Sequence, residues 1–282
     1  MRLGVFARTF PGASPDHVLG RAAAAGYEGV HYNMACSGLP SLPEEIPDTV
    51  VAALRAAVAS TRMALYGVSA TYNMIHPDPV VRARGRESLR VIASRAGSMG
   101  IGLVTLCSGT CDPNDQWRYH PGNDEAPAWR TLLQEMTAAI QIAEDADVDL
   151  GLEPELANVV SSPERAHLLI ETLKSDRVRV VLDPANLFER ESLARQREIA
   201  ARAIDLLADR IVMAHAKDRL PDGRFAAAGH GVLDYRHYLR QLRAIGFAGP
   251  LVVHGLTDVE APEARQFLTN VLSELDLQES SS

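Results

Sequence analysis

The sequence predicts a single (β/α)8 TIM barrel, and three observations lead there. Apolar runs of strand length alternate with longer stretches of helical periodicity along the whole chain. The 282 residues suit a barrel of this kind, for which ~250 is typical. The rival fold, a doubly wound open sheet, needs a glycine-rich phosphate turn after its first strand, and FARTFPGASP lacks G-x-G-x-x-G.

The elements follow in order. The first strand is read at 3–7, inside MRLGVFARTF, whose short apolar run before Pro11 and Gly12 is too little for a secretion signal. Helical periodicity over 17–27 comes next. Ser14-Pro15-Asp16 opens it with a hydroxyl at the cap, proline in the first turn and a carboxylate against the helix dipole. Gly26 closes it in the manner of a left-handed cap. The second strand (29–33) leads to a helix at 50–60, and the third (64–69) to a helix at 87–100 ended by Gly100. The fourth strand (103–107) is followed by a long polar segment, 109–127, and a helix at 129–146. The fifth (149–153) precedes a helix at 164–175 capped by Ser162-Pro163-Glu164. The sixth (178–183) and seventh (211–215) precede helices at 196–210 and 235–246, the last ended by Gly246, and the eighth strand falls at 251–254. Strict alternation means a parallel sheet, and eight strands mean closure. No linker divides the chain. One domain is expected over 1–275, with 276–282 frayed.

Composition narrows the function classes. At 46% hydrophobic and 5% aromatic, the chain suits a Val/Leu/Ala-packed α/β protein. A net charge of −8 argues against a nucleic-acid partner, which would demand a basic face. Lysine is confined to Lys174 and Lys217. Cys36, Cys107 and Cys111 form no C-x-x-C pair and no disulfide framework. No apolar run approaches the ~20 residues of a membrane span, so no membrane partner is expected and a cytoplasmic location is the default.

The later strands end in residues that buried runs should not carry. DLGLEPEL, VRVVLDPANLF, IVMAHAKD and PLVVHGL place Glu153, Asp183, His215 and His254 at four consecutive strand ends. In a closed barrel these ends converge at the C-terminal mouth. Any one alone reads as a polar strand terminus; four in register read as a metal site. Two carboxylates and two imidazoles suit Mn, Zn, Fe or Co, with Mn or Zn favoured, better than Mg or Ca.

From 148 to 256 the chain carries E-P-E, V-x-L-D-P-A-N, H-A-K-D, G-x-G-x-x-D-Y and G-F-x-G-P-L in succession. In this it resembles the xylose isomerase-like superfamily of sugar isomerases and epimerases, which also holds inosose dehydratases and abasic-site endonucleases. The resemblance implies metal ligands at a glutamate, an aspartate, a histidine and a glutamate after the fifth to eighth strands. Glu153, Asp183 and His215 match the first three, and His254 stands where the fourth glutamate would be. The resemblance also implies that two ligand glutamates move a proton beside a carbonyl, so here the second group becomes an imidazole or lies elsewhere. Asn186 occupies a position where many members carry a substrate-contacting histidine; it can bond a hydroxyl but exchanges no proton near neutral pH. Many barrels of this kind are dimers or tetramers, so a homo-oligomer is compatible.

Glu153 is the expected base, with His254, Glu155 and Lys217 as further catalytic candidates. Glu155 shares the inward face with Glu153 if the strand continues, and is otherwise a solvated loop residue. Lys217 would point inward with His215 to meet a carboxylate, phosphate or enolate oxygen, or would pair with Asp218. Substrate contacts are expected from Asn186, Asn73, His76, Trp117 and Arg219, a mixture that suits a polyol with an apolar ring face. The spacing of Cys107 and Cys111 completes no thiolate site. The expected function is a metal-dependent isomerase or epimerase of a sugar, keto-sugar or related polyol. Two alternatives stand beside it, a lyase on the same scaffold and a non-catalytic sugar-binding barrel. An abasic-site endonuclease is disfavoured by the acidic charge.

Overall fold

Each apolar run pairs in parallel with the next, and the last pairs with the first to close the sheet. The computed structural model describes residues 1–279. The first barrel strands are β1 (Arg2–Phe6), β2 (Gly29–Tyr32), β3 (Ala64–Ser69) and β4 (Leu103–Cys107). They continue with β5 (Asp149–Glu153), β6 (Val178–Leu182), β7 (Ile211–Ala216) and, as the eighth, β10 (Pro250–Val253). A short antiparallel hairpin of β8 (Asp218–Arg219) and β9 (Phe225–Ala226) is inserted after β7. The helices are α1 (Pro15–Ala24), α2 (Asp48–Thr61), α3 (Pro79–Met99) and α4 (Ala126–Ala146), then α5 (Pro163–Leu173), α6 (Leu193–Leu207), α7 (Tyr235–Ala244) and α8 (Ala261–Glu279). All five residues of β4 and all four of β10 are buried, as expected of parallel strands covered on both faces.

Local chemistry accounts for the helix limits. Ser162 accepts from the Arg165 amide at the start of α5, whereas the Ser14 hydroxyl makes no such bond at α1. Gly26, Gly100 and Gly246 take the expected left-handed conformation, with φ of 87°, 78° and 71°. Helix α3 starts well before the predicted 87, because Asp78 caps it by accepting from the Val80 amide and Pro79 opens its first turn. Helix α8 was not assigned from periodicity. It runs through residue 279, and 280–282 of the expected frayed tail lie outside the described residues.

Two apolar layers result. The larger lies between strands and helices. A smaller one fills the barrel axis, where Leu103, Val181, Met213 and Val252 pack together with Tyr66 against them. Gly151 faces this floor: a Cβ there would lie 2.9 Å from Val181 Cγ2, so β5 approaches the axis without a side chain. Side chains alternate along a strand. The residues two positions beyond the floor, Thr105, Glu153, Asp183, His215 and His254, therefore share the interior one layer nearer the C-terminal mouth. Among the described residues no helix is long and apolar enough to cross a membrane.

Candidate active site

Three strand ends bring a carboxylate, a second carboxylate and an imidazole together. Glu153 ends β5, Asp183 follows β6 and His215 lies near the end of β7. One ligand atom from each lies within 4.8 Å of the others. His215 Nδ1 is 3.2 Å from Glu153 Oε1 and 3.7 Å from Asp183 Oδ2. Asp183 and His215 are buried, while the Glu153 side chain reaches the mouth and is 23% exposed. The turn after β6 fixes Asp183, whose Oδ1 accepts from the Ala185 amide at 2.9 Å.

Asn186 and Lys217 lock this group. The Asn186 Nδ2 donates to Glu153 Oε1 at 2.7 Å, and the Lys217 ammonium donates to Asn186 Oδ1. Lys217 Nζ also lies 3.2 Å from Asp183 Oδ2. The expected alternative of a Lys217–Asp218 pair does not form. Asp218 instead accepts from the amides of Arg219, Gly229, Gly231 and Leu233 and so pins the hairpin loop.

The donor set fits a divalent cation. Among the described residues, His215 Nε2 is buried with no hydrogen-bond partner, and Asp183 Oδ2 receives no directed hydrogen bond. The charge balance agrees. Burial works against a charge on His215, yet Glu153 and Asp183 outweigh it and lift its pKa to about 9. Burial also works against the Asp183 carboxylate, and Lys217 and His215 more than offset it, holding that carboxyl well below its usual range. A site that draws protons onto its imidazole has negative charge to spare for a metal ion.

His254 lies outside the group of three whose ligand atoms gather within 4.8 Å. Its ring stacks on His215, with centroids 5.2 Å apart and planes 14° from parallel. Burial, with the charges of His215 and Lys217, pushes the His254 pKa well down. His31 is a residue that strand-end reasoning misses. It sits inside β2, donates to or accepts from Thr105 Oγ1 at 2.9 Å, and lies 6.0 Å from the His215 ring and 5.1 Å from Phe6. Burial first, then His215, lowers its pKa to about 3. The alternation in GVHYN, which turns His31 inward, is the signal that could have found it.

Glu155, Trp117 and Arg219 line a wider space at the mouth, about 900 Å³. Burial raises the Glu155 pKa to about 7, with Lys217 opposing and Glu153 adding. Arg219 is buried and donates to the carbonyl oxygens of Ala185 and Gly223. Asn73 and His76, expected as substrate contacts, lie apart from the three-residue cluster. Both line a separate cavity of about 370 Å³ that contains none of Glu153, Asp183, His215 and His254. The chain after β3 turns outward to meet the loop after β4. There the Asn73 amide is used up on the backbone of Thr110 and Ile75, and His76 Nε2 is 3.1 Å from the Pro113 oxygen.

A family profile described as xylose isomerase-like TIM barrel matches residues 19–271. Among curated proteins none matches the chain. Solved structures share the fold at low identity. The 3-keto-D-glucoside 4-epimerase of E. coli is 16% identical, with 98% of this chain and 99% of that one covered and a TM-score of 0.74. A D-tagatose 3-epimerase-like protein is 15% identical over 99% of each chain, with a TM-score of 0.78. A xylose isomerase-like TIM barrel protein from Mycobacterium smegmatis, solved in complex with magnesium, is 16% identical, with 97% and 96% covered and a TM-score of 0.69.

Proposed function

Because the chain belongs to the xylose isomerase-like TIM barrel family, we propose that it is a metal-dependent isomerase or epimerase of a sugar, keto-sugar or related polyol. The observation that carries this reading is the convergence of Glu153, Asp183 and His215 within 4.8 Å at adjacent strand ends. Two of the similar structures are named as a sugar epimerase and an epimerase-like protein, and a third was solved with magnesium. With an imidazole in the set, Mn or Zn suits this chain better than Mg.

Glu153, Asp183 and His215 would hold a divalent cation, which when bound would supply Lewis-acid polarisation of a substrate carbonyl and so make the neighbouring C–H acidic. Glu153 accepts that proton. Its Oε1 is held by Asn186 and His215, which fixes the carboxylate while its exposed edge meets the substrate. His254, just after β10 and three strands around the barrel from β5, approaches the centre from another side. Its imidazole exchanges the second proton, which the asparagine at 186 cannot do. The Lys217 ammonium balances the negative charge that develops on the substrate oxygen. Glu155 and Arg219 bond substrate hydroxyls at the mouth.

The test is turnover of a panel of ketohexoses and keto-glycosides by manganese- or zinc-loaded protein in D2O. Deuterium entering the product at the carbon beside the carbonyl, and lost in Glu153→Gln, supports the reading. Turnover without solvent deuterium overturns it, as does an unsaturated or deoxy product, which marks a lyase.

A further inference from the structure

We infer that the wide space at the barrel mouth is a second sugar-binding subsite, so that the preferred substrate is a glycoside or disaccharide rather than a free monosaccharide. This rests on the reading of the metal cluster as a sugar site and extends it outward. The space borders that site through Phe225, which touches Lys217, although none of Glu153, Asp183 and His215 lines it. Glu155 and Arg219 line it, each two residues beyond a member of the inner group, Glu153 and Lys217. The Phe225 ring, also lining it, lies 3.9 Å from Lys217 Nζ and 4.1 Å from the Arg219 guanidinium carbon. At about 900 Å³ it is near the top of the ~300–1,000 Å³ range that holds a whole drug-sized ligand.

Its lining has the chemistry of carbohydrate recognition. Trp117, Tyr119 and Phe225 stand 54%, 51% and 47% exposed on its walls. Such aromatic area is normally covered. Aromatic faces stack on the C–H faces of a pyranose ring, and the hydroxyls around that ring need charged or polar partners beside the aromatics. Arg190 and Glu189 supply both signs here. Mixed charge favours a neutral polyol over a phosphate.

Both walls are prebuilt. On the loop after β4, Asp112 takes a two-pronged bond from Arg118, at 2.6 and 2.9 Å, and accepts the amides of Asn114 and Asp115. The Tyr119 hydroxyl donates to Asp124 at 2.7 Å, and Asn158 ties Gln116 to Gly109. On the other wall, Asp218 gathers four amides beneath the hairpin that carries Phe225. The chain does not have to order these rings when a ligand arrives, which removes a main cost of binding.

The chain has two tryptophans. Trp129 lies 4.7 Å beneath the Arg165 guanidinium and does not line this space. In Trp129→Phe, Trp117 becomes the sole indole reporter. The experiment titrates this metal-loaded protein with cellobiose, maltose, lactose and sucrose, and with D-glucose and D-fructose, while emission is followed. A saturable emission change with at least one disaccharide, at concentrations where the monosaccharides give little, is the expected result. Phe225→Ala should weaken that binding about five- to tenfold, Phe225→Leu less, with metal content and melting temperature unchanged. No saturable change with any disaccharide overturns the subsite, as does equal affinity for monosaccharides with no effect of either Phe225 variant. The readout is independent of turnover. Disaccharide binding without isomerisation keeps the subsite and removes the isomerase reading, whereas monosaccharide isomerisation with a silent Trp117 does the reverse.

Discussion

The His215 and His254 rings lie face to face, 5.2 Å apart and 14° from parallel. The side chain near the end of β7 belongs to the carboxylate cluster, and the one just after β10 stacks on it from outside the group of three.

His254→Ala should therefore keep near-stoichiometric metal while kcat falls by ~10²–10⁴-fold, the usual worth of a proton-transfer group. Plasma mass spectrometry beside steady-state kinetics decides this. Metal lost together with activity would make His254 a ligand after all.

Asp183→Asn should abolish metal-dependent stabilisation. A ligand present at a hundred times its Kd adds about 2.7 kcal/mol to the folded state, so the wild type should melt measurably higher with manganese or zinc than after chelation. The variant should melt at one temperature in both conditions. An undiminished shift in Asp183→Asn would move the metal away from these three residues.

Met213→Ala should cost ~2–5 kcal/mol of stability, because a fully buried side chain on the barrel axis leaves a cavity its rigid neighbours cannot fill. Denaturant titration measures it. A cost well under 1 kcal/mol would mean that the floor is loosely packed.

Thiol chemistry gives a pH-dependent check. Burial pushes Cys36 up to about 11 and Cys107 up to about 12, while Cys111 is only partly buried. A disulfide reagent at pH 8 should find one fast thiol, removed by Cys111→Ser. For Cys36 the folded value lies above the ordinary 9.0. Its contribution to stability is thus complete below pH 9 and is lost as pH rises from there through 11. Cys36→Ala should flatten that part of the alkaline unfolding curve; an unchanged curve would remove Cys36 from the account.

The barrel and three of the four strand-end residues were legible because they rest on periodicity and adjacency alone. Eight apolar runs had one closed solution, and Glu153, Asp183 and His215 ended three neighbouring runs. What stayed hidden depends on torsion and on loop packing. The sequence carries nothing about the ring plane of His254. It places Asn73 and His76 after a strand, but the outward turn that spends the Asn73 amide on Thr110 arises from contact between two distant loops. His31 escapes strand-end reasoning for a different reason: β2 places its inward imidazole one residue before its end. Glu155 lines the wider space at the mouth from the loop just past the end of β5, so the two-residue period of a continuing strand does not place it.

Val181, Met213 and Val252 each stand two residues before Asp183, His215 and His254, and they, not their reactive neighbours, fill the barrel axis. Selection for a stable chain and selection for a given reaction therefore act on alternating letters of the same short segment. A change at a strand tip such as His254 leaves the letters that pack the barrel floor untouched, so the chemistry at the mouth and the stability below it can be altered independently.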